Sequence, residues 1–301
     1  MTPQEIRSRF GGDEVPATSL ADADIVILPL CYESASSYGT GSKHGPSHIL
    51  NASIQLERID EETLLDWGLF KIHTMTPLIP EDSPEKAVEQ MRKAAGKVIG
   101  EGKYLLSLGG DHASSIGPIR AAAEAYPNLG ILQVDAHLDL REEWNGSRFN
   151  HACVMRRVSE ISDISIVQVG IRAFSEQELE VLKTGSNFTT FYAHQIDPVD
   201  SAWMEEALAA LPDTVYISID LDGLDPSVIP GTGTPEPGGF SYRQVVELIK
   251  KVGGAKNVVA ADITELTKIE GFQVSEYTAA KIATKIMIHC FNSNVTRKAS
   301  L

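Results

Sequence analysis

Short apolar runs alternate with helical patterns along the whole chain, and this alternation limits the possible folds more than any other feature. Six runs are too continuously apolar to leave one face in water, which is typical of parallel strands covered on both faces. They comprise residues 23–32, 103–109, 129–134, 164–171, 213–219 and 257–261. Amphipathic segments with a helical spacing of apolar residues follow them, at residues 83–102, 112–126, 202–211, 241–252 and 275–291. The pattern predicts an α/β fold of three layers, α/β/α, with a mostly parallel central sheet.

The chain shows no linker, low-complexity block or internal repeat, so we expect residues 1–301 to form a single domain. Its three cysteines, Cys31, Cys153 and Cys290, are an odd number without metal-site spacing. That usage is typical of a reducing compartment. The first residues are too polar for a secretory signal, and no apolar run is long enough to span a bilayer. These features predict a cytoplasmic protein without a membrane partner.

Charge narrows the range of partners. The chain has 41 Asp and Glu against 26 Lys and Arg, a formal net charge of -15. Such a surface repels phosphate backbones, so we expect no nucleic acid partner. A cationic small molecule would be attracted.

Polar side chains follow three of the predicted strands, at the point where each strand ends. The sequences are GDH (110–112), DAHLD (135–139) and DLDGLD (220–225). In open parallel sheets, ligands bind at the edge formed by the carboxyl ends of the strands. Side chains at alternate positions of an extended segment point the same way, so members of each cluster can converge. The convergent set is His112, Asp135, His137, Asp139, Asp220 and Asp222.

Each cluster has an ordinary explanation when taken alone. Asp111 or His112 could cap the helix that follows, and Asp222 to Asp225 could form a turn. Together, however, they would bring four carboxylates into one buried place, which is severely unfavourable without a cation. Six such groups exceed the needs of one four-coordinate ion, so two divalent cations about 3.5 Å apart are expected. Oxygen-rich ligands without thiolate favour Mn²⁺, with Fe²⁺, Co²⁺, Ni²⁺ or catalytic Zn²⁺ as alternatives.

The sequences GGDH (109–112), DAHLD (135–139) and SIDLDGLDP (218–226) resemble, in order and spacing, the three signatures of the ureohydrolase family. Arginases and agmatinases belong to this family. The segments at 36–49, 231–244 and 261–266 also have counterparts, so the resemblance covers most of the chain. It implies a three-layer α/β/α domain with two Mn²⁺ ions that releases urea from a guanidino compound. It also implies a trimer or hexamer.

The resemblance further implies how the six ligands divide between the two ions. His112 and Asp139 would bind one ion, and His137 and Asp222 the other. Asp135 and Asp220 would bridge both.

Two more residues match functional positions of the family. His151, in FNHACVMRR, matches the proton-shuttling histidine, which would protonate the leaving amine. Glu265, in DITEL, matches the glutamate that pairs with the substrate guanidinium. The family commonly has a proline a few residues beyond this glutamate, whereas this chain continues LTKIEGF. The shape of the loop after Glu265 is therefore left open.

The segment 140–151 resembles the agmatinase branch more than arginase, because it lacks the arginase pattern of Asn and Ser. Glu142 and Glu143 would suit the ammonium of agmatine if they lie at a pocket mouth, or they are solvated loop charges. Arg141 could instead pair with the carboxylate of guanidinobutyrate. We therefore expect agmatine as substrate, with aminopropylagmatine, guanidinobutyrate and arginine as alternatives. A binuclear phosphoesterase is disfavoured because the three signatures do not resemble one. An inactive family member is disfavoured because all six ligand positions, His151 and Glu265 carry competent residues.

Overall fold

The structure, a computed structural model, describes residues 8–34, 37–81, 83–196 and 200–291. Within these residues eight strands form one sheet in which every neighbouring pair is parallel. The strand order is β2-β1-β3-β8-β7-β4-β5-β6. The strands are β1 (Ile25–Pro29), β2 (Ile72–Thr74), β3 (Tyr104–Leu108), β4 (Gly130–Val134), β5 (Ser165–Ile171), β6 (Phe188–Tyr192), β7 (Thr214–Asp220) and β8 (Asn257–Thr264).

Helices connect the strands and cover the sheet. They are α1 (Gly45–Ser53), α2 (Pro84–Gly100), α3 (Ile116–Ala125), α4 (Val154–Val158), α5 (Glu176–Thr184), α6 (Ala202–Ala210), α7 (Tyr242–Ala255) and α8 (Val274–Ile286). A π-helical turn, Met287–Phe291, continues α8. No helix among the described residues is long and apolar enough to cross a membrane.

Two hydrophobic clusters lie on opposite faces of the sheet, because successive strand residues point to opposite sides. On one face, Ile25 and Ile27 pack in a cluster with residues of α1, α6, α7 and α8. On the other, Val26 and Leu28 pack with residues of α2, α3 and α4. The structure therefore confirms the predicted three-layer α/β/α fold. The sheet is parallel throughout, rather than mostly so.

The six predicted strands are present, but β2 and β6 were not predicted. β2 has three residues, and β6, at the sheet edge, is only partly buried along its length. Neither offers the continuous apolar run by which buried strands were recognised. The helices α1, α4 and α5 were also not predicted. The single domain expected for residues 1–301 stays a prediction, and Ser36, which begins the segment 36–49, lies outside the described residues.

The centre of the sheet brings β3, β8, β7 and β4 side by side, so their carboxyl ends form one continuous edge. Close packing at this edge depends on Gly223, just beyond β7. A Cβ atom on Gly223 would lie 2.8 Å from the backbone nitrogen of Asp135 and 3.0 Å from its Cα. Glycine therefore lets the segment after β7 approach the segment after β4.

We expect Gly223→Ala to lower the free energy of unfolding by about 1–3 kcal/mol, because the added methyl overpacks the contact with Asp135. Gly254→Ala is the matched control, since Gly254 lies in α7 and a Cβ there would meet no atom of the described residues within 4 Å. Chemical denaturation of both variants provides the measurement. Equal stability of Gly223→Ala and the control would contradict the role given to this close approach.

Candidate metal centre

The polar residues predicted to converge do so at the carboxyl edge of the four central strands. His112 follows β3, and the DAHLD segment follows β4. Asp220 ends β7, and Glu265 follows β8. All four strands are neighbours, so their ends present these side chains to one place.

His112 forms a first group with three carboxylates. Its Nδ1 lies 2.8 Å from Asp139 Oδ2, 3.1 Å from Asp135 Oδ2 and 3.3 Å from Asp220 Oδ2. Asp139 reaches this position with a φ of 54°, in the left-handed region that few non-glycine residues adopt. His112 is buried, and despite these short distances its Nδ1 makes no hydrogen bond with any of the described residues. A buried nitrogen left without a partner among carboxylate oxygens fits a metal ligand.

His137 forms a second group. Its Nδ1 lies 3.0 Å from Asp222 Oδ2 and 3.6 Å from Asp135 Oδ1. Asp135 thus turns one oxygen to each histidine and belongs to both groups that could hold a metal ion. This position fits the bridging role expected of Asp135. The Oδ1 atom of Asp220 accepts the backbone N–H of Asp222 at 2.9 Å, and bridging by Asp220 stays a prediction.

Hydrogen bonds behind the two groups fix the orientation of their members. The Nε2 atom of His112 lies 3.1 Å from Ser218 Oγ, which in turn donates to Asp262 Oδ1 at 2.8 Å. The buried amide of Gln133 donates to Asp135 Oδ2 at 2.7 Å. Such outer partners hold ligand rings and carboxylates in a fixed direction. The fold therefore holds the side chains of His112 and Asp135 in fixed directions at this centre.

Electrostatics also favour a cation at this centre. Burial raises the pKa of Asp139 to about 7, and the charge of Asp135 adds to the shift. Burial, with the charges of Asp222 and Asp135, raises the pKa of Asp220 well above its usual range. Burial lowers the pKa of His137, but the charges of Asp222 and Asp135 outweigh it and raise this pKa to about 12. The buried carboxylates therefore favour the binding of positive charge, which divalent ions would supply.

A cavity of about 190 Å³ opens over the two groups. Its wall contains predicted metal ligands together with His151 and Glu265. The structure therefore brings both predicted functional residues to the same cavity as the metal groups. The remaining wall is formed by Ser37, Arg141, Trp144, Ala152 and Thr234.

Glu265 is fixed in place by its backbone and its side chain. It has a φ of 66°, its N–H donates to the carbonyl of Gly110 at 2.8 Å, and its Oε1 accepts the backbone N–H of His112 at 2.8 Å. Burial raises the pKa of its carboxyl well above the usual range, and the charge of Asp111 adds to this. Asp111 does not cap the following helix; its carboxylate accepts from the N–H and hydroxyl of Ser34. The unusual sequence after Glu265 does not displace the glutamate from the cavity.

His151 begins a short 3-10 helix, His151–Cys153, at the end of the loop after β4. The side chain of Asn150 caps that helix by accepting the N–H of Ala152 at 3.1 Å. His151 Nε2 lies 2.8 Å from the hydroxyl of Ser37. The imidazole therefore has a defined position in the cavity wall.

Glu142 and Glu143, in the same loop, are not part of the described cavity wall. Glu142 accepts hydrogen bonds from Arg148 and Arg156 and lies 3.1 Å from Arg157. Glu143 is exposed and is not part of the described cavity wall. Of the two interpretations left open for Glu142, its arginine partners favour a loop charge over a contact with a substrate ammonium. The loop contributes Arg141 and Trp144 to the wall instead.

Sequence reasoning gave no role to Ser37, Trp144 or Thr234. Ser37 belongs to the segment 36–49, which the family resemblance singled out without a role. Trp144 precedes Asn145 and Gly146, a pair that favours a tight hairpin turn, and this was the available signal. Thr234 donates its hydroxyl to Asp222 Oδ2 at 3.3 Å, and it lies in the segment 231–244, which the resemblance also singled out without a role.

Comparisons with known proteins agree with this geometry. The arginase family profile matches residues 23–289. An N(1)-aminopropylagmatine ureohydrolase of Synechocystis is 36% identical over 281 residues, which is 90% of each chain. An agmatinase of Pyrococcus horikoshii is 32% identical and covers 89% of this chain and 93% of its own. The solved agmatine ureohydrolase of Thermoplasma volcanium is 25% identical, with a TM-score of 0.85 over 98% of each chain.

The chain belongs to the arginase family, and the fold is the arginase fold. Its site is therefore interpreted as that of an arginase-family ureohydrolase.

We expect protein stripped of metal with a chelator to rebind about two Mn²⁺ per chain, as two ligand groups require. Asp135→Asn should lose most of both, because Asp135 belongs to both groups, whereas Asp139→Asn should keep about one, held by the His137 group. Equilibrium dialysis with metal analysis measures this. Asp225→Asn is the control, since the Asp225 carboxylate accepts from the N–H groups of Ser227 and Gly238 instead. Wild-type stoichiometry in Asp135→Asn would refute the shared ligand.

Proposed function

We propose that this protein hydrolyses a guanidino compound to release urea, with agmatine as substrate and putrescine as the second product. One observation carries the proposal. Two histidine–carboxylate groups share Asp135 and open into the same cavity as Glu265 and His151. Membership of the arginase family supports the same chemistry.

The reaction needs a strong nucleophile, because a guanidinium is stabilised by resonance and is a poor electrophile. Two divalent cations held by the two groups would lower the pKa of a water enough to supply hydroxide near neutral pH. The oxygen-rich ligand set, with two imidazoles and no thiolate, supports Mn²⁺ as the ion. The chain's own contribution is to hold these ligands ready in a buried place.

Glu265 would bind and orient the substrate. Its carboxylate lies in the cavity wall beside His112, so it can pair with a guanidinium and turn the carbon towards the metal groups. Burial of this carboxyl strengthens such a pairing, since the cavity screens charges less than water does. His151, in the same wall, would give a proton to the departing amine.

The substrate tail is proposed from the relatives and from the cavity wall. Relatives are named agmatinase or N(1)-aminopropylagmatine ureohydrolase. The second name, carried by the Synechocystis relative, makes aminopropylagmatine the second candidate substrate. Arg141 places a cation in the wall, so guanidinobutyrate belongs among the compounds to be tested. A cytoplasmic trimer or hexamer that acts in polyamine biosynthesis and binds neither nucleic acid nor membrane completes the proposal.

We expect Mn²⁺-loaded protein to release urea from agmatine or aminopropylagmatine and to use arginine poorly. The loop 140–151 lacks the arginase pattern that recognises the α-carboxylate. Without those partners the α-carboxylate of arginine would stay unpaired, which can lower kcat/KM for arginine by up to roughly 10⁴-fold relative to agmatine. A urea assay across agmatine, aminopropylagmatine, guanidinobutyrate and arginine gives kcat/KM for each. A higher kcat/KM for arginine would overturn the substrate assignment, and no urea from any compound would indicate an inactive family member.

His151→Ala and Glu265→Gln should differ in their kinetics. Loss of a proton donor should lower kcat by about 10²- to 10⁴-fold, and small imidazoles in the buffer should restore part of the rate. Glu265→Gln keeps the shape and can still accept the N–H of His112, but it removes the charge that meets the guanidinium. We therefore expect KM to rise and kcat to fall. Metal content, measured on both variants, should match wild type; near-normal kinetics for Glu265→Gln would place the guanidinium site elsewhere.

A further inference from the structure

Ser37 lies in the cavity wall, in the loop between β1 and α1, far in sequence from the other wall residues. Its Oγ accepts the indole N–H of Trp144 at 3.0 Å and lies 2.8 Å from Nε2 of His151. One hydroxyl therefore joins two side chains of the loop after β4. All three side chains face the same cavity.

Trp144 is itself held firmly, because it begins a two-residue hairpin turn. Asn145 and Gly146 have φ values of 51° and 77°, and a pair of positive φ angles in an Asn-Gly sequence is typical of a type I′ turn. The backbone N–H groups of Trp144 and Ser147 donate to each other's carbonyls at 2.9 and 3.1 Å. The guanidinium carbon of Arg141 lies 4.3 Å from the indole ring centre, a cation–π contact. The turn and the cation–π contact thus fix the indole, which can hold Ser37 through the hydrogen bond from its N–H.

The hydrogen-bonding capacity of each group sets the direction of the bonds. An indole N–H can only donate, so it uses one lone pair of the Ser37 oxygen. The hydroxyl proton remains available for Nε2 of a neutral His151, and the second lone pair can accept from Nε2 when it carries a proton. Ser37 can therefore keep its place beside His151 both before and after a proton moves.

We infer that Ser37 is a positioning residue, which holds the His151 imidazole for proton transfer and is itself held by Trp144. The inference rests on the proposed function, since it takes His151 as the group that protonates the leaving amine. A proton donor works only within hydrogen-bond reach of its target, and rings locked by neighbouring bonds keep that geometry. Trp144 is also part of the cavity wall. A substitution of Trp144 should therefore lower kcat, because it displaces Ser37 and with it the imidazole of His151.

The test is a double-mutant cycle between Ser37→Ala and His151→Ala in the Mn²⁺-loaded protein, with urea release as the assay. Ser37→Ala should lower kcat by about 10- to 100-fold, as expected for a misplaced catalytic group, and leave KM within about twofold of wild type. In the His151→Ala background the same substitution should cause no further loss, because residues that act as a unit are not additive. An equal loss of kcat in both backgrounds would overturn the inference.

Three further variants separate positioning from a general loosening of the loop. Ser37→Thr keeps the hydroxyl and should keep most of kcat. Trp144→Phe keeps a ring but loses the N–H, so kcat should fall less than in Ser37→Ala. Ser147→Ala removes a hydroxyl of the same loop that accepts from the N–H of Phe149, and kcat should not change. A loss in Ser147→Ala as large as in Ser37→Ala would assign the effect to the loop and reject the role of Ser37.

A measurement that does not depend on catalytic activity distinguishes failure of the proposed function from failure of the inference about Ser37. The chain has three Trp residues, so the indole N–H signal of Trp144 is assigned by its disappearance in Trp144→Phe, in an NMR spectrum of protein loaded with diamagnetic Zn²⁺ in place of Mn²⁺. We expect Ser37→Ala to shift that signal and Ser147→Ala to leave it in place. If wild type releases no urea, the proposed function fails, while the NMR spectrum still reads the Ser37 contact. An unshifted Trp144 signal in Ser37→Ala contradicts the inference whatever the activity.

Discussion

Mutual repulsion among four buried carboxylates is the constraint on which the centre of this protein depends. Asp135, Asp139, Asp220 and Asp222 are all buried at one sheet edge, where like charges interact strongly. The backbone positions these carboxylates next to one another, through adjacent parallel strands and a left-handed conformation at Asp139. Such local strain persists only where the surrounding structure fixes it, and it is common at functional sites. Positive charge at this edge would relieve the repulsion, so binding of a cation there would stabilise the fold.

Much of the fold and site could be predicted because it follows from local patterns. Continuous apolar runs identify buried strands, and alternate polar residues at their ends identify the candidate metal ligands. Two edge strands escaped because half-exposed segments such as Phe188–Tyr192 have no such run. The order β3-β8-β7-β4, which gathers the ligands, is a tertiary property that no local pattern contains. Contacts across long separations, such as Ser37 with His151, were missed for the same reason.

The loop after β4 shows why a local charge pattern leaves the role of a residue open. Glu142 is near His151 in sequence, yet three arginines, two of them in α4, take its charge. A charge pattern gives the residue types but not their partners. What the loop brings to the cavity is a tight Asn-Gly turn that fixes Trp144, with Arg141 against the indole. This part of the cavity wall therefore depends on the hairpin turn and the Arg141–Trp144 contact, with no part played by the charge of Glu142.

Anomalous diffraction at the manganese absorption edge, from crystals grown with Mn²⁺, tests the shared-ligand centre most directly. Two peaks about 3.5 Å apart are expected, the spacing of binuclear hydrolytic sites. One should lie beside His112 and the other beside His137, with Asp135 in contact with both. A single peak, or peaks that do not contact Asp135, would contradict a binuclear centre built on that carboxylate.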